Sequence, residues 1–116
     1  GVIIMVAGCQ DGHGGEGFYR NLADVKDPKD FLDQAINTPR LETVPDQWTS
    51  QILARILVHH HVIFVSDLVE PSLITNMHME SAKTFDEALA RAFELQGADA
   101  KVTVIRDGLS VIVEDK

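Results

Sequence analysis

Four groups of residues have the types and spacing for chemistry. The first is the glycine-rich stretch Gly8-Cys9-Gln10-Asp11-Gly12-His13-Gly14-Gly15-Glu16. Between a strand and a helix, its backbone N–H groups could hold an anion at the helix N-terminus. It matches neither G-x-G-x-x-G nor G-x-x-x-x-G-K-[ST], it contains no Lys or Arg, and Asp11 and Glu16 oppose a phosphate. A tight turn in close contact with another domain or backbone fits the pattern better than a phosphate cradle. His13 and Glu16, three apart, could both reach one metal, but a stable site needs three or four ligands, and adding Cys9 and Asp11 gives no regular spacing. Cys9 as a nucleophile needs a base beside it and a lowered pKa, and sequence proximity to His13 fixes no such geometry.

The second group is His59, His60 and His61. Consecutive side chains diverge at a helix end and alternate on a strand, so three neighbours cannot all face one metal. A helix end followed by a strand start is the simpler reading, and histidines at a helix C-terminus suit its dipole. The third is Trp48, the single tryptophan, inside Pro45-Asp46-Gln47-Trp48. Periodicity alone puts it in the core; its place at a helix start also allows it to wall a pocket. The fourth is Met77 and Met79 around His78, which read as flexible core filler. None of these completes a catalytic constellation: no catalytic residue and no metal site is assigned to the chain from its residues.

The elements that must position these groups follow from patterning. Residues 2–7 (VIIMVA) form a continuous apolar run of strand length, expected to be buried on both faces. After the glycine loop, residues 16–25 form a short helix with Phe18 and Leu22 inward. Asp27-Pro28 is an N-cap followed by a first-turn proline, starting a helix to about Asn37 with Phe31, Leu32, Ala35 and Ile36 as its stripe. Pro45 is expected to open the next helix, through about His59, with Trp48, Ile52, Leu53, Ile56 and Leu57 as the apolar stripe. Residues 61–65 (HVIFV) are a second buried-type strand. Residues 70–77 are ambiguous, with one helical turn possible from Pro71, and 77–80 read as a short extended segment. Thr84-Phe85-Asp86-Glu87 is a capping box; the helix it starts carries Phe85, Leu89, Ala92 and Phe93 inward and stops at Gly97. Residues 101–106 and 109–113 flank Asp107-Gly108, a strong two-residue hairpin signal. The fold class is therefore α/β: a single domain over 1–116, with a mixed sheet flanked by helices and ending in a β-hairpin.

Composition bounds the partners. The chain has 116 residues, 45% of them hydrophobic and 24% charged, which is one ordinary globular domain. A net charge of −8 repels phosphate backbones and anionic bilayers, so neither nucleic acid nor membrane is expected as a partner. The single cysteine allows no intramolecular disulfide, in keeping with a reducing compartment and a cytoplasmic protein. No apolar run approaches the roughly 20 residues of a membrane span. The chain opens at Gly1 directly into a strand-like run, which reads as a piece of a longer chain or as a tag remnant joined to one.

Four stretches together resemble one family: VAGCQDGHGGEGFY (6–19), PDQWTSQILARIL (45–57), HMESAKTFDEALARA (78–92) and VTVIRDGLSVIV (102–113). In order, they are similar to the C-terminal part of nickel-dependent lactate racemases and related 2-hydroxy-acid racemases or epimerases. One departure is Arg106, where the family leads one to expect proline. The resemblance implies the C-terminal domain of a two-domain isomerase whose active site lies between the domains. It implies a nickel pincer nucleotide as cofactor, bound mainly by the N-terminal domain, which also holds the tether lysine, the nickel ligand and the catalytic histidines. A Lys and a Gln that help hold substrate or cofactor are expected upstream of Gly1. The implied partners are that N-terminal catalytic domain and a small 2-hydroxy-acid substrate. The isolated chain is expected to be inactive and to hold no cofactor. Residue by residue, only Trp48 carries over, as a wall of the substrate pocket; Asp11, His13 and Glu16 fall in a loop facing the cleft or the domain boundary. The rival readings are a stand-alone binding or scaffold module without catalysis, and a small metal-dependent regulator built on His13 and the histidine triplet.

Overall fold

A computed structural model describes residues 1–10, 12–108, 110–112 and 114. Three parallel strands, β1 (Val2–Val6), β2 (His61–Val65) and β3 (Glu80–Ala82), form a sheet in the order β1-β2-β3. Val2 aligns with His61 and Val6 with Val65; Ile63 aligns with Glu80. Among the described residues, five α-helices accompany the sheet: α1 (Glu16–Ala23), α2 (Pro28–Asn37), α3 (Gln47–His59), α4 (Pro71–Asn76) and α5 (Phe85–Gln96). A 3-10 turn spans Arg40–Glu42.

The core has two parts, one among the helices and one against the sheet. Leu22, Phe31, Ala54 and Met77 join α1 to α4 on one side. On the other, Ile63, Val65, Ala82 and Ala88 pack with Val2, Ile4 and Ala92, seating α5. Alternation along β2 turns Ile63 and Val65 toward α5 and Val62 and Phe64 toward the opposite face.

Local signals hold where a side chain fixes the backbone. Asp27 accepts from the Lys29 N–H at 2.7 Å, with Pro28 in the first turn of α2. Thr84 accepts from the Glu87 N–H at 3.2 Å, and the Glu87 carboxylate reaches back to the Lys83 N–H at 3.0 Å, one residue before the position a capping box uses.

Four expectations need correction. Strand β1 is not buried on both faces: it lies at a sheet edge, with Ile3, Met5 and Val6 exposed. Helix α3 starts after Asp46, not at Pro45, because Asp46 takes a left-handed conformation (φ 62°) that stands outside the helix. Extended pairing begins at Glu80; before it, His78 adopts φ 64° and turns the chain. The sheet is parallel in both of its pairs rather than mixed. Its mixed character was to come from the terminal hairpin, but residues 101–105 form no ladder, although a turn does sit at Asp107, whose carbonyl accepts from the Ser110 N–H at 2.8 Å. Leu109 and Val113, in the other arm of that hairpin, lie outside the described residues.

Candidate functional site at the glycine loop and the start of helix α3

The glycine loop leaves the C-terminal end of β1 and delivers the chain to α1. Its sharp course needs left-handed backbone at Cys9 (φ 48°), Gly12 (φ 77°) and Gly14 (φ 82°), of which only the glycines adopt it without strain. The Gly12 N–H closes the turn on the Cys9 carbonyl at 3.0 Å. His13 then organises the second half. Its Nδ1 accepts from the Gly15 N–H at 3.3 Å, its ring stacks on Tyr19 with centroids 5.0 Å apart, and its Nε2 lies 3.7 Å from the Glu16 carboxylate. Tyr19 is held in turn by Asn76, whose amide donates to the phenol oxygen at 2.8 Å. Thus one N–H group that an anion could have used is occupied by His13. Glu16 places a carboxylate in the first turn of α1 and pairs with Arg20 at 2.6 Å.

The structure brings the first two recognised stretches together. A methyl group added at Gly17 would stand 3.0 Å from Asp46 Oδ2 and 3.4 Å from the Pro45 carbonyl, so the Pro45-Asp46 turn rests directly on the start of α1. Below it, Ser50 is fully buried: its hydroxyl donates to the Asp46 carbonyl and accepts from the Asn21 amide, both at 3.0 Å. These bonds satisfy the polar groups and lock the register of α3 against α1.

Trp48 follows this turn and is 68% exposed, so it is not part of this domain's core. Sequence periodicity had suggested the core because α3 has an apolar stripe. However, the residues of α3 that are buried are Gln47, Ser50 and Ala54, on another side of the helix. Asp11, the remaining loop candidate, lies outside the described residues. Met77 is buried and Met79 half-buried in the core, while the His78 ring donates to the Leu22 carbonyl at 2.9 Å.

The histidine triplet is divided among three roles: His59 ends α3, His60 caps it in extended conformation, and His61 opens β2. Among the described residues, no three His, Cys, Asp or Glu side chains converge as a metal site. The donors among the described residues therefore do not make a nickel centre.

His61 belongs instead to an ion-pair chain. It approaches Glu80 at 2.6 Å, and Arg91 bridges Glu80 at 2.9 Å and Glu94 at 3.0 Å. Burial pushes the Glu80 carboxyl up, but hydrogen bonds from His61 and Arg91 together outweigh it and hold the group below its ordinary range. Sequence reasoning missed this cluster, because its members lie on β2, β3 and α5 and meet only through sheet register.

The fold and the corner between Gly17 and Asp46 define an α/β lobe that displays an aromatic side chain and a polar glycine loop but no converging metal ligands among its described residues. The chain belongs to the lactate racemase C-terminal domain family, whose sequence model matches residues 1–113. It is 77% identical over 114 residues to a lactate racemase of Lactiplantibacillus plantarum, covering 98% of this chain and 27% of that protein. It is 50% identical over 116 residues to a lactate racemase of Thermoanaerobacterium thermosaccharolyticum, again covering 27% of the relative. The structure of the lactate racemase apoprotein from that second organism superposes with a TM-score of 0.94 at 50% identity, over 99% of this chain and 28% of that one. The chain thus spans little more than a quarter of the length of these relatives.

Proposed function

We propose that this chain is the C-terminal lobe of a cytoplasmic lactate-type 2-hydroxy-acid racemase and helps to close the active-site cleft against an N-terminal catalytic domain. The observation that carries the reading is Trp48, exposed beside the contact between the two family-specific stretches. An indole held at a rigid helix start, with Asp46 and Ser50 fixing the first turn, presents an apolar wall and excludes water from one end of a cleft. The glycine loop, with His13 and Glu16, faces the same boundary. In the parent enzyme a nickel pincer nucleotide serves as cofactor, held mainly by the N-terminal domain. This lobe contributes positioning, and the inversion at C2 of the hydroxy acid is carried out by groups outside it.

The test is Trp48→Ala in the full-length parent. A tryptophan packed in a core costs about 3–5 kcal/mol on truncation, whereas misplacing a reacting group costs up to about 10²-fold in rate. We expect the melting temperature to be nearly unchanged and kcat/KM for lactate racemisation to fall more than about tenfold, with partial recovery in Trp48→Phe. Unchanged kcat/KM in a folded Trp48→Ala variant would remove Trp48 from the pocket.

A further inference from the structure

Parallel strands are normally covered on both faces, because their backbones and apolar side chains have no solvated side to turn outward. Here one face of β1 is bare. Ile3 and Met5 align with Val62 and Phe64 of β2, and all four point to the face where α3 and α4 pack. Over β2 the helices do cover the sheet, and Val62 is buried. Over β1 they do not, and Ile3 and Met5 remain exposed.

Helix α3 faces the same gap. It directs its small and polar residues Gln47, Ser50 and Ala54 inward, while Ile52 and Ile56 line a groove together with Ile3, Met5, Phe64 and Leu73. The groove has a cavity volume of about 440 Å³. That is ample for a small ligand, but a ligand pocket needs several convergent polar groups to orient its occupant. The exposed surface of this lining is almost wholly apolar, with Cys9 and His13 of the glycine loop and Thr49 of α3 only at its border, so a 2-hydroxy acid would find few partners there. It suits aliphatic and aromatic side chains projecting from a packed element.

We infer that this groove is the seat of an apolar helix face supplied by the rest of the parent chain, completing the layer over β1. The inference rests on the reading of the chain as one lobe of a longer enzyme. It identifies which surface of the lobe the remainder grips. The occupant is identified by supply: the relatives devote about 27% of their length to the matching segment, and the remainder is available to cover it.

The experiment uses the full-length parent. Met5→Cys and Ile52→Cys are each treated with a bulky maleimide, with Ile36→Cys, on the solvent side of α2, as the exposed reference. Tandem mass spectrometry assigns the label to the introduced cysteine or to the natural Cys9, which shares a peptide with position 5. Both groove cysteines should label at least about tenfold more slowly than position 36. A photo-crosslinking benzophenone residue at position 52 should then join to a peptide of the same polypeptide that lies outside these 116 residues. Labelling of both groove positions at the reference rate overturns the inference. So does a cross-link to residues 1–116 of a second copy, with protection that disappears when the sample is diluted to monomer. Lactate racemisation by the unmodified parent is measured separately. An active parent with an open groove defeats only this inference, and an inactive parent with a protected groove defeats only the proposed activity.

Discussion

Asp46 holds a left-handed backbone (φ 62°) while its carboxylate oxygen stands 3.0 Å from where a Cβ at Gly17 would be, a contact tight enough that one of them must shift. Neither fact is visible in the sequence: the glycines of the loop were legible as turn formers, but Gly17 is a helical residue whose purpose is close approach. The two residues should therefore be energetically coupled. Alanine at an exposed helix position normally gains about 1 kcal/mol over glycine. In the natural chain, Gly17→Ala should forfeit that gain by displacing Asp46, and lower the urea midpoint. In an Asp46→Gly background, where the carboxylate is gone and the left-handed position is relaxed, Gly17→Ala should raise it. The coupling expected for touching residues is on the order of 1 kcal/mol. An equal effect in both backgrounds would mean that the contact carries no energy. Trp48 was likewise legible as a type but not as a location. A tryptophan on an apolar helical stripe reads as core until one learns which side of the helix the neighbouring elements cover.

That difficulty belongs to the element scale. Elements with their own local signals were readable: the caps of α2 and α5 are side-chain hydrogen bonds within a few residues, and β2 is a short apolar run with clear ends. What the sequence left open was the phase and neighbours of each element. Strand β1 has the composition of a central strand yet lies at an edge, and α3 turns Ile52 and Ile56 toward the groove over β1. Strand β3 is only three residues long and takes its direction from β2. It is tied by the Glu80 carboxylate to His61 on β2 and to Arg91 on α5. Because the Glu80 pKa is held below its ordinary value of 4.5, this tie stabilises the fold fully above that pH. Its contribution is lost as the pH falls from there through the lower folded-state pKa. Glu80→Gln should lower the melting temperature at about pH 5 but narrow the further drop between about pH 5 and pH 3.5, relative to the natural chain. Parallel melting curves for the two proteins over that range would show that Glu80 is not the titrating link.

At the scale of the whole molecule, the radius of gyration is 15.2 Å, against about 13 Å for a compact domain of roughly this size. The excess has a structural source. Residues 100–105 run beside β1 and α5 without joining the sheet, leaving a second cavity of about 570 Å³ lined by Val2, Ile4, Leu89 and Val102 among others. The first cavity opens on the other face of the same strand. Strand β1 therefore borders a cavity on each face, and among the described residues the fully buried large apolar side chains are Leu22 and Ile63. Small domains already bury only about two-thirds of their unfolded surface, so such gaps weigh heavily against a net stability of roughly 5–15 kcal/mol. The isolated chain should still melt cooperatively, since capped helices and a register-fixed sheet join its two core clusters. It should do so well below the melting temperature of the full-length parent, and it should bind a hydrophobic dye such as ANS that the parent does not. Calorimetry and dye fluorescence on the two proteins in one buffer provide the test. Equal melting temperatures, with no dye binding by the fragment, would mean that the exposed strand is stable without its complement and that the apolar surfaces on either side of β1 need no partner.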